Sequence, residues 1–438
     1  MKCRYLLSCF TLIIIVFVAM PKNMIMADAM ANEATMTISA GASSSFVVLP
    51  DGSLWAWGDN EFGQLGDGTT TDSYNPIKIM DEVIAISANS AHAMAIRVDG
   101  SLWAWGSNEH GQLGNGATAD HYSPIKIMDD VITVSAGELH AMAIRTDGSL
   151  WAWGHNGSGQ LGDGTRVDRY TPVKIMEDVF AVSAGGSHTM AIKTDGSLWA
   201  WGSNDSGQLG DGSPNFHDCA SGNDFFSAIQ YRPVKIMEDV VAVSAGHGNT
   251  MAIRDDGSLW AWGSNQFGAY MAGVIRVRNT PVKIMEDVVA ISAGVTNPMA
   301  VQSDGSLWIW GINEEPGFWS SGATTIDYLT PVKVLDDVIA VSAGTFWRFE
   351  SHRLAIKTDG SLWAWGDNNW GQLGHNLGLG LSDSEKPWEE RREIQAILNE
   401  PKKIMDNVML PGNILSDHKQ TQRIEAFLTS LAAHFSQH

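Results

Sequence analysis

The sequence is poor in cysteine and in basic residues. Two of its three cysteines, Cys3 and Cys9, lie among the first ten residues, which leaves Cys219 without a disulfide partner in the rest of the chain. Lysine and arginine number 28 against 49 acidic residues, and the formal net charge is −21. A nucleic-acid or anionic-membrane surface needs a basic face. The composition therefore excludes an intramolecular disulfide framework, argues against both partners and is typical of a soluble protein.

The chain also lacks the short motifs of common catalytic and metal sites. It shows no nucleophile elbow, phosphate-binding loop or zinc-ligand spacing. Asp59-Asn60-Glu61 and Asp67-Gly68 are acidic, but they do not have the regular spacing and terminal Glu of a calcium loop. We therefore predict no catalytic residue, no cofactor and no metal site.

The N-terminus has the pattern of a secretory leader. Two basic residues precede an apolar run over residues 5–20, and small-x-small cleavage sites end at Ala29 and Ala31. This pattern predicts a signal peptide over residues 1–31, cleaved after one of those two alanines. The apolar run is short for a membrane span, so we expect a secreted protein without a membrane anchor after cleavage. The alternative is that the leader stays uncleaved as an anchor.

One octapeptide dominates the rest of the sequence. Asp-Gly-Ser-Leu-Trp-Ala-Trp-Gly, with Ile309 replacing the alanine in the sixth copy, starts at Asp51, Asp99, Asp147, Asp195, Asp256, Asp304 and Asp359. Successive copies are separated by 48, 48, 48, 61, 48 and 55 residues. A nearly fixed period of this length predicts seven tandem units.

Each unit has the pattern of four strands. Asp-Gly between two alternating apolar segments predicts a hairpin with a two-residue type I′ turn. A Ser-Ala-Gly segment lies upstream and a Pro-x-Lys-Ile-Met segment lies downstream. Both faces of the Trp-containing strands are apolar, which indicates a sheet covered on both sides. Four strands per unit predict a propeller blade, and the small residues of the Ser-Ala-Gly strand suit its innermost position.

Several motifs recur in register: Leu-Trp-x-Trp-Gly-x-Asn, a Gly-Gln-Leu-Gly loop, a proline, and Ser-Ala-Gly-x-x-His. This combination resembles the repeat of the regulator of chromosome condensation family. The resemblance implies an all-β, seven-bladed β-propeller over residues 35–410, with units that start near 35, 83, 131, 179, 240, 288 and 338. Apolar residues at helical spacing predict a short amphipathic C-terminal α-helix over residues 415–438, docked on the propeller.

A polar residue recurs at the end of the Ser-Ala-Gly-x-x-His motif. Its seven occupants are Ser44, His92, His140, His188, Asn249, Asn297 and His352. These residue types share the capacity to form hydrogen bonds but not an affinity for zinc. We therefore predict that each bonds the backbone of its own blade, rather than a metal-binding ring.

Departures from the repeat are the candidate binding residues, since loops carry function on a rigid scaffold. Units four and seven have insertions between Trp-Gly and Pro, units five and six replace Gly-Gln-Leu-Gly, and unit seven has a longer inner hairpin. Aromatic residues in these segments are predicted to bind a partner: Phe225, Phe226, Tyr231, Tyr270, Phe318, Trp319, Trp347 and Trp388. We expect all but Trp347 on one sector of one face, with Trp319 as the main anchor. The alternative is that these aromatics pack onto the ring.

The resemblance and the leader together suggest a function. We expect a secreted, monomeric, non-enzymatic binding protein that engages a protein or cell-envelope partner. One alternative is guanine-nucleotide exchange on a small GTPase, the activity of the family's founding member, although an exported protein does not meet a cytosolic GTPase. Others are inhibition of a secreted enzyme such as a β-lactamase, which a protein of this fold caps, and glycan cleavage in a pocket of the propeller face.

Overall fold

A computed structural model of the chain describes residues 36–213, 229–264, 277–294, 298–313, 326–344, 352–374 and 402–405. Within these ranges the chain forms seven four-stranded antiparallel sheets and no helix, which confirms the predicted all-β propeller with seven blades. No described segment is a helix long and apolar enough to cross a membrane. The predicted leader over 1–31 and the predicted helix over 415–438 lie outside the described residues.

The strands of every sheet are adjacent in chain order, so each blade is a meander that runs from the centre of the ring outward. The innermost strands are β1 (Thr37–Ala40), β5 (Val83–Ala88), β9 (Val131–Ala136), β13 (Val179–Ala184), β17 (Val240–Ala245), β21 (Val288–Ser292) and β25 (Val338–Ala343). The second strands are β2 (Ser44–Val48), β6 (His92–Arg97), β10 (His140–Arg145), β14 (His188–Lys193), β18 (Asn249–Arg254), β22 (Met299–Gln302) and β26 (His352–Lys357).

The third strand of each blade carries the paired tryptophans. These strands are β3 (Leu54–Gly58), β7 (Leu102–Gly106), β11 (Leu150–Gly154), β15 (Leu198–Gly202), β19 (Leu259–Ser264), β23 (Leu307–Asn313) and β27 (Leu362–Gly366). The outer strands are β4 (Ser73–Met80), β8 (His121–Met128), β12 (Arg169–Met176), β16 (Gln230–Met237), β20 (Val277–Met285), β24 (Ile326–Leu335) and β28 (Lys402–Met405). Blade 1 is β1–β4, and the numbering continues to blade 7, which is β25–β28.

Hydrogen bonds between innermost strands close the ring. In blade 2 the backbone N–H of Ala88 donates to Ser39 Oγ of blade 1 over 2.9 Å. The bond recurs at every junction and ends with the N–H of Ala40 in blade 1, which donates to Ser342 Oγ of blade 7 over 2.9 Å. Blades 7 and 1 are therefore joined as the other neighbours are, without exchange of strands between blades.

The hydrophobic core lies between the sheets. Each of seven buried clusters combines side chains from two neighbouring blades. The second tryptophan of each motif is almost completely buried in one of them: Trp57, Trp105, Trp153, Trp201, Trp262, Trp310 and Trp365. Because each sheet is covered on both faces, the Trp-containing strands are apolar on both sides, as their sequence pattern indicated.

The Asp-Gly turn differs from the predicted type I′ turn. Only the glycine is left-handed, as at Gly100 with φ 78°. The N–H of Gly100 donates to the carbonyl of Arg97, and the N–H of Arg97 donates to the carbonyl of Ser101. This is a three-residue loop with a left-handed glycine at its end, a common hairpin form. The prediction was wrong because Val98 belongs to the loop, so the aspartate does not need a positive φ.

The aspartate of the octapeptide has a structural task. Asp195 Oδ1 accepts the N–H of Ser197 over 2.9 Å and its hydroxyl over 2.5 Å. Ser197 Oγ in turn accepts the indole N–H of Trp199 over 2.9 Å. The hydroxyl of Ser197 is the main cause that holds the pKa of Asp195 below its usual range. The Asp-Gly-Ser-x-Trp pattern is therefore a turn that fixes the first tryptophan.

Candidate binding surface on the loop face

Alternating strand direction gives the ring two different faces. The connections from first to second strands and from third to outer strands emerge together on what we call the loop face. The Asp-Gly turns and the turns that lead from one blade to the next emerge together on the opposite side, the turn face. The third-to-outer connections contain Gly-Gln-Leu-Gly, and they form the outer part of the loop face.

The turn face repeats the same ion pairs from blade to blade. Lys126 Nζ lies 2.6 Å from Asp129 Oδ1. Together with this pair, equivalent lysine–acid pairs occur at six blade-to-blade turns. Arg145 also binds Asp130 over 2.7 Å. In each of these turns, the residue that directly follows the lysine-paired acid is also acidic and has a left-handed backbone conformation. These residues are Glu82, Asp130, Asp178, Asp239, Asp287 and Asp337. This regularity marks the turn face as scaffold.

An asparagine organises each regular loop of the loop face. Asn108 Oδ1 accepts the N–H of Leu113 over 3.0 Å, and its amide donates to the carbonyls of Ala117 and Ala119 over 3.0 Å each. The N–H of Asn108 donates to Asp120 Oδ1 over 2.8 Å. Asn60 and Asn156 make equivalent bonds. The asparagine of the Leu-Trp-x-Trp-Gly-x-Asn motif therefore preorganises the loop.

The Gly-Gln-Leu-Gly loop also contacts the next blade. The indole N–H of Trp153 donates to the carbonyl of Gln112 over 2.9 Å, and four other blades repeat this bond. Gly114 has φ +79°, and a Cβ there would lie 2.8 Å from Trp153 Nε1. A side chain cannot fit at this position without displacing the tryptophan. Gly-Gln-Leu-Gly is thus an interblade contact with a fixed shape.

The recurring histidines form buried bonds between blades. His140 Nε2 lies 3.0 Å from Thr189 Oγ1 of blade 4, and Thr189 donates to the carbonyl of Gln160 over 2.8 Å. His188 and His352 face hydroxyl groups in the same way. The predicted partner, backbone of the same blade, is wrong for these residues, because their rings project toward the neighbouring sheet. Burial lowers the pKa of His140 to about 3.

His92 lacks the hydroxyl that its counterparts have. The blade that follows His92 is blade 3, where Ala141 takes the place that Thr189 has in blade 4. Both residues pair with the second tryptophan of their blade, Ala141 with Trp153 and Thr189 with Trp201. Both ring nitrogens of His92 are buried and have no hydrogen-bond partner. Burial lowers the pKa of His92 to about 4. These histidines therefore belong to the scaffold beneath the loop face, and they stay neutral at physiological pH.

Exposed large hydrophobic side chains are confined to one face in the part of the chain that the structure describes. Seven residues qualify, and all lie in or directly after a third-to-outer connection: Phe62, Tyr74, Tyr122, Val167, Tyr170, Tyr231 and Trp370. The turn face has no such residue within the described ranges. We call the six aromatic members of this set the aromatic rim. Rings of this kind anchor many protein interfaces.

The four tyrosines of the rim share one packing site. Each lies two residues before the proline of an outer strand, and its ring covers the first glycine of the preceding Gly-Gln-Leu-Gly loop. At Gly63, for example, a Cβ would come within 2.4 Å of Tyr122 Cδ1. One side of each ring is therefore fixed by packing, while the exposed fraction stays at 38–46%. Rigid, half-exposed rings lose little conformational entropy on binding.

Phe62 and Trp370 occupy a variable position of the regular loops. The residue before Gly-Gln-Leu-Gly is Phe62, His110, Ser158, Ser206 or Trp370, depending on the unit. The backbone N–H at this position is held by the glutamine side chain, as in Phe62 N–H to Gln64 Oε1 over 2.9 Å. The backbone is thus constant while the side chain changes, which is the arrangement expected of a binding surface on a scaffold.

Of the predicted partner-binding residues, the structure describes Tyr231, which is 38% exposed and belongs to the aromatic rim. The others lie outside the described residues: Phe225, Phe226, Tyr270, Phe318, Trp319, Trp347 and Trp388. Sequence reasoning missed the rest of the rim because it searched the irregular units and took regular loops as scaffold. The signal was present in the tyrosine two residues before proline in units one to four.

The repeated interblade contacts and the variable loop face define a class, a seven-bladed propeller of the chromosome-condensation-regulator type. The family model of the RCC1-like domain matches residues 17–236, just over half of the chain. The chain belongs to the RCC1-like domain family. Models of the regulator of chromosome condensation (RCC1) repeat match residues 240–269 and 359–407 as well. Propellers of this type generally bind or regulate other molecules.

Solved structures show the same fold. Human WBSCR16 is 18% identical with a TM-score of 0.62, and the match covers 81% of this chain and 94% of that one. Prp20p from Saccharomyces cerevisiae, a protein with binding properties toward Gsp1p and histones, is 21% identical with a TM-score of 0.59 and coverage of 71% and 80%. Yeast RCC1 (Prp20) bound to Kap60 gives 18% identity, a TM-score of 0.64 and 86% coverage of each chain. No curated protein matches the sequence.

Proposed function

We propose that this protein is a secreted, non-enzymatic binding protein that holds a protein partner on the loop face of its propeller. One observation carries the proposal: every exposed large hydrophobic side chain of the described residues lies on that face. Phe62, Tyr74, Tyr122 and Trp370 belong to blades 7, 1 and 2, which are neighbours in the closed ring. These four side chains therefore lie on three adjacent blades of the same face.

The described strand ends that flank the irregular segments lie at the same face. The flanking strands of the long connection in blade 4 end at Gly202 and begin at Gln230, both at the loop face. The connections of blades 5, 6 and 7 have their flanking strand ends at this face too. The proposal includes the prediction from the sequence that aromatic residues of these connections, Trp319 foremost, take part in partner binding. Secretion is supported by the basic, apolar and small-residue pattern of residues 1–31.

Partner capture by variants tests the proposal. Phe62→Ser combined with Trp370→Ser replaces two rim aromatics with the residue that units three and four carry at the same position, Ser158 and Ser206. The backbone there accepts serine, so we expect an unchanged fold. Two aromatic anchors that contribute roughly 2 kcal/mol each add up to about 4 kcal/mol, so capture of the partner from the protein's own culture medium or envelope fraction should weaken roughly a thousandfold.

Lys126→Ala on the turn face is the matched control, and it should capture the partner as the parent does. Equal capture by the rim variant and the parent would contradict the proposed surface. The identity of the captured protein decides between the alternatives: a small GTPase supports nucleotide exchange, and a β-lactamase supports enzyme inhibition. An intact mass that begins at Met30 or Asn32 in the medium would support secretion, and retention of a species that begins at Met1 would contradict it.

A further inference from the structure

Two histidines meet at one junction of the loop face. His110 belongs to the loop of blade 2, at the variable position before Gly-Gln-Leu-Gly, and His155 follows the Trp-Gly motif of blade 3. Their ring centroids are 4.7 Å apart with an interplanar angle of 59°. Asp168 of blade 3 completes the group, and one ligand-type atom from each of the three residues lies within 4.8 Å of the others.

The repeat accounts for the aspartate but not for the histidines. Asp168 Oδ1 accepts the N–H of Asn156 over 2.8 Å, and Asp72 and Asp120 do the same in their units. In the other units with Gly-Gln-Leu-Gly, the position of His110 holds Phe62, Ser158, Ser206 or Trp370, and that of His155 holds Asp59, Ser107, Ser203 or Asp367. Both replacements by histidine therefore fall at the junction where their rings face each other and a fixed carboxylate.

The separation of His110 and Asp168 suits a shared cation, and His155 needs only a small inward movement because the three ligand atoms lie within 4.8 Å of one another. His110 Nδ1 lies 3.4 Å from Asp168 Oδ2, which is longer than an ordinary hydrogen bond of this kind. Two ligands bonded to zinc at about 2.0–2.1 Å in a tetrahedron are roughly 3.3–3.4 Å apart. The group is half-buried, so an ion has access from solvent.

One side of the His155 ring is already held by a neighbour. The amide nitrogen of Gln160 donates to His155 Nδ1 over 3.0 Å, which places the proton of the neutral ring on Nε2. Gly157 leaves room beside the ring, since a Cβ there would lie 2.7 Å from His155 Nε2.

We propose that His110, His155 and Asp168 form a transition-metal site, for which Zn²⁺ is the fitting ion, between blades 2 and 3. Two imidazoles and one carboxylate are an established zinc ligand set, and three protein ligands leave a fourth position for water or for an incoming group. The ion joins two loops of the loop face and lies in the sector that carries the aromatic rim. It adds a site that neither the repeat motif nor the family match assigns.

The ring orientation of His155 has a further consequence. Coordination through Nε2 requires the proton to sit on Nδ1, where an acceptor stabilises it. The side-chain oxygen of Gln160 already accepts the N–H of Ser158 over 2.9 Å, so its amide nitrogen faces the ring. Gln160→Glu keeps an oxygen for Ser158 and offers a second oxygen to the ring. This variant should therefore tighten zinc binding.

The test is a zinc titration of the full-length protein by calorimetry after treatment with a chelator. His110→Ser and His155→Ser introduce residues that other units carry at these positions, so both variants should fold. Asp168→Asn keeps the acceptor for Asn156 and removes the charge. The parent should bind one zinc ion at this site, and each variant should bind it at least about tenfold more weakly, since even outer-shell changes cost that much. Gln160→Glu should bind it more tightly.

His121→Asn removes a histidine outside the group and is the control. A Co²⁺ complex should show the strong visible absorption of a tetrahedral site in the parent and in this control, and lose it in His155→Ser. Zinc should also raise the melting temperature of the parent but not of His155→Ser. Zinc affinity and stoichiometry that are equal in the parent and the two serine variants would overturn the site. Unchanged or weaker binding by Gln160→Glu would overturn the assignment of His155 Nε2 as a ligand.

Discussion

The turn face and the loop face are built from the same seven units, yet they differ in what they keep constant. On the turn face each unit repeats its Asp-Gly turn, and its Lys–acid pair recurs at six junctions. On the loop face the backbone frame is equally constant where Gly-Gln-Leu-Gly is present, but the side chains mounted on it change from Phe62 to His110 to Trp370.

This difference between the two faces indicates which positions can change to suit a partner without loss of the fold. A residue that bonds across a blade junction, such as Gln112 or Trp153, is fixed by the neighbouring sheet. A residue that projects from the frame into solvent is not fixed by the fold. The loop face therefore has two layers, a rigid one that belongs to the ring and a variable one that is free to carry binding residues.

Removing a unit should have the largest effect, because it removes one copy of both faces and breaks the circle of hydrogen bonds that alanine N–H groups donate to serine hydroxyls of the preceding blades. Deletion of residues 99–146 leaves six repeats and a gap or strained contacts at the junctions. We expect oligomers or aggregates in light scattering after gel filtration, and loss of the parent's cooperative melting transition. A monomeric six-unit protein that melts like the parent would show that ring closure contributes little.

The rigid layer of the loop face can be tested at a single glycine. Gly114→Ala places a Cβ at 2.8 Å from Trp153 Nε1 and forces a left-handed alanine, so we expect a loss of about 2–4 kcal/mol in the free energy of unfolding. Gly116→Ala is the matched control: φ is +81° but the nearest atom is 3.6 Å away, and a loss of only about 1–2 kcal/mol is expected. Urea unfolding measures both. Equal losses would mean that Trp153 does not constrain the loop.

The histidines beneath the loop face predict a pH dependence. Burial lowers the pKa of His188 to about 3, whereas the unfolded chain keeps a value near 6.5. Between these values the unfolded state binds more protons, so stability falls as pH falls through this window. The turn-face carboxylate of Asp195 has a lowered pKa. Its contribution to the free energy of unfolding is therefore complete above pH 3.8, the ordinary pKa of aspartate, and is lost only as the pH falls below that value. The loop side should therefore weaken first on acidification.

Replacing one histidine should remove part of that slope. His188→Asn introduces the residue of blade 5, Asn249, and removes one titrating group. Between about pH 4 and pH 6, the slope of unfolding free energy against pH should become shallower by about 1.4 kcal/mol per pH unit. Urea titrations at several pH values measure the slope. The surface variant His121→Asn is the control, and an unchanged slope in His188→Asn would show that His188 is not the buried neutral group inferred here.

Sequence reasoning was strongest where one interaction repeats. The octapeptide, the Ser-Ala-Gly strand and the Gly-Gln-Leu-Gly loop predicted seven four-stranded blades, because each motif serves a hydrogen bond that recurs from blade to blade. It was weakest where the answer depends on the neighbouring unit. His140 was assigned a backbone partner because Thr189 lies 49 residues away in the sequence, and His110 and His155 belong to different units.

The smallest effect is expected on the turn face. The side chain of Lys126 is 46% exposed in its pair with Asp129, and exposed pairs of this kind add little to stability. Five equivalent pairs remain when this one is removed. Lys126→Ala should therefore melt within experimental error of the parent and capture the partner equally well. A loss of capture at unchanged melting temperature would place the binding surface on the turn face and reverse the comparison between the two faces.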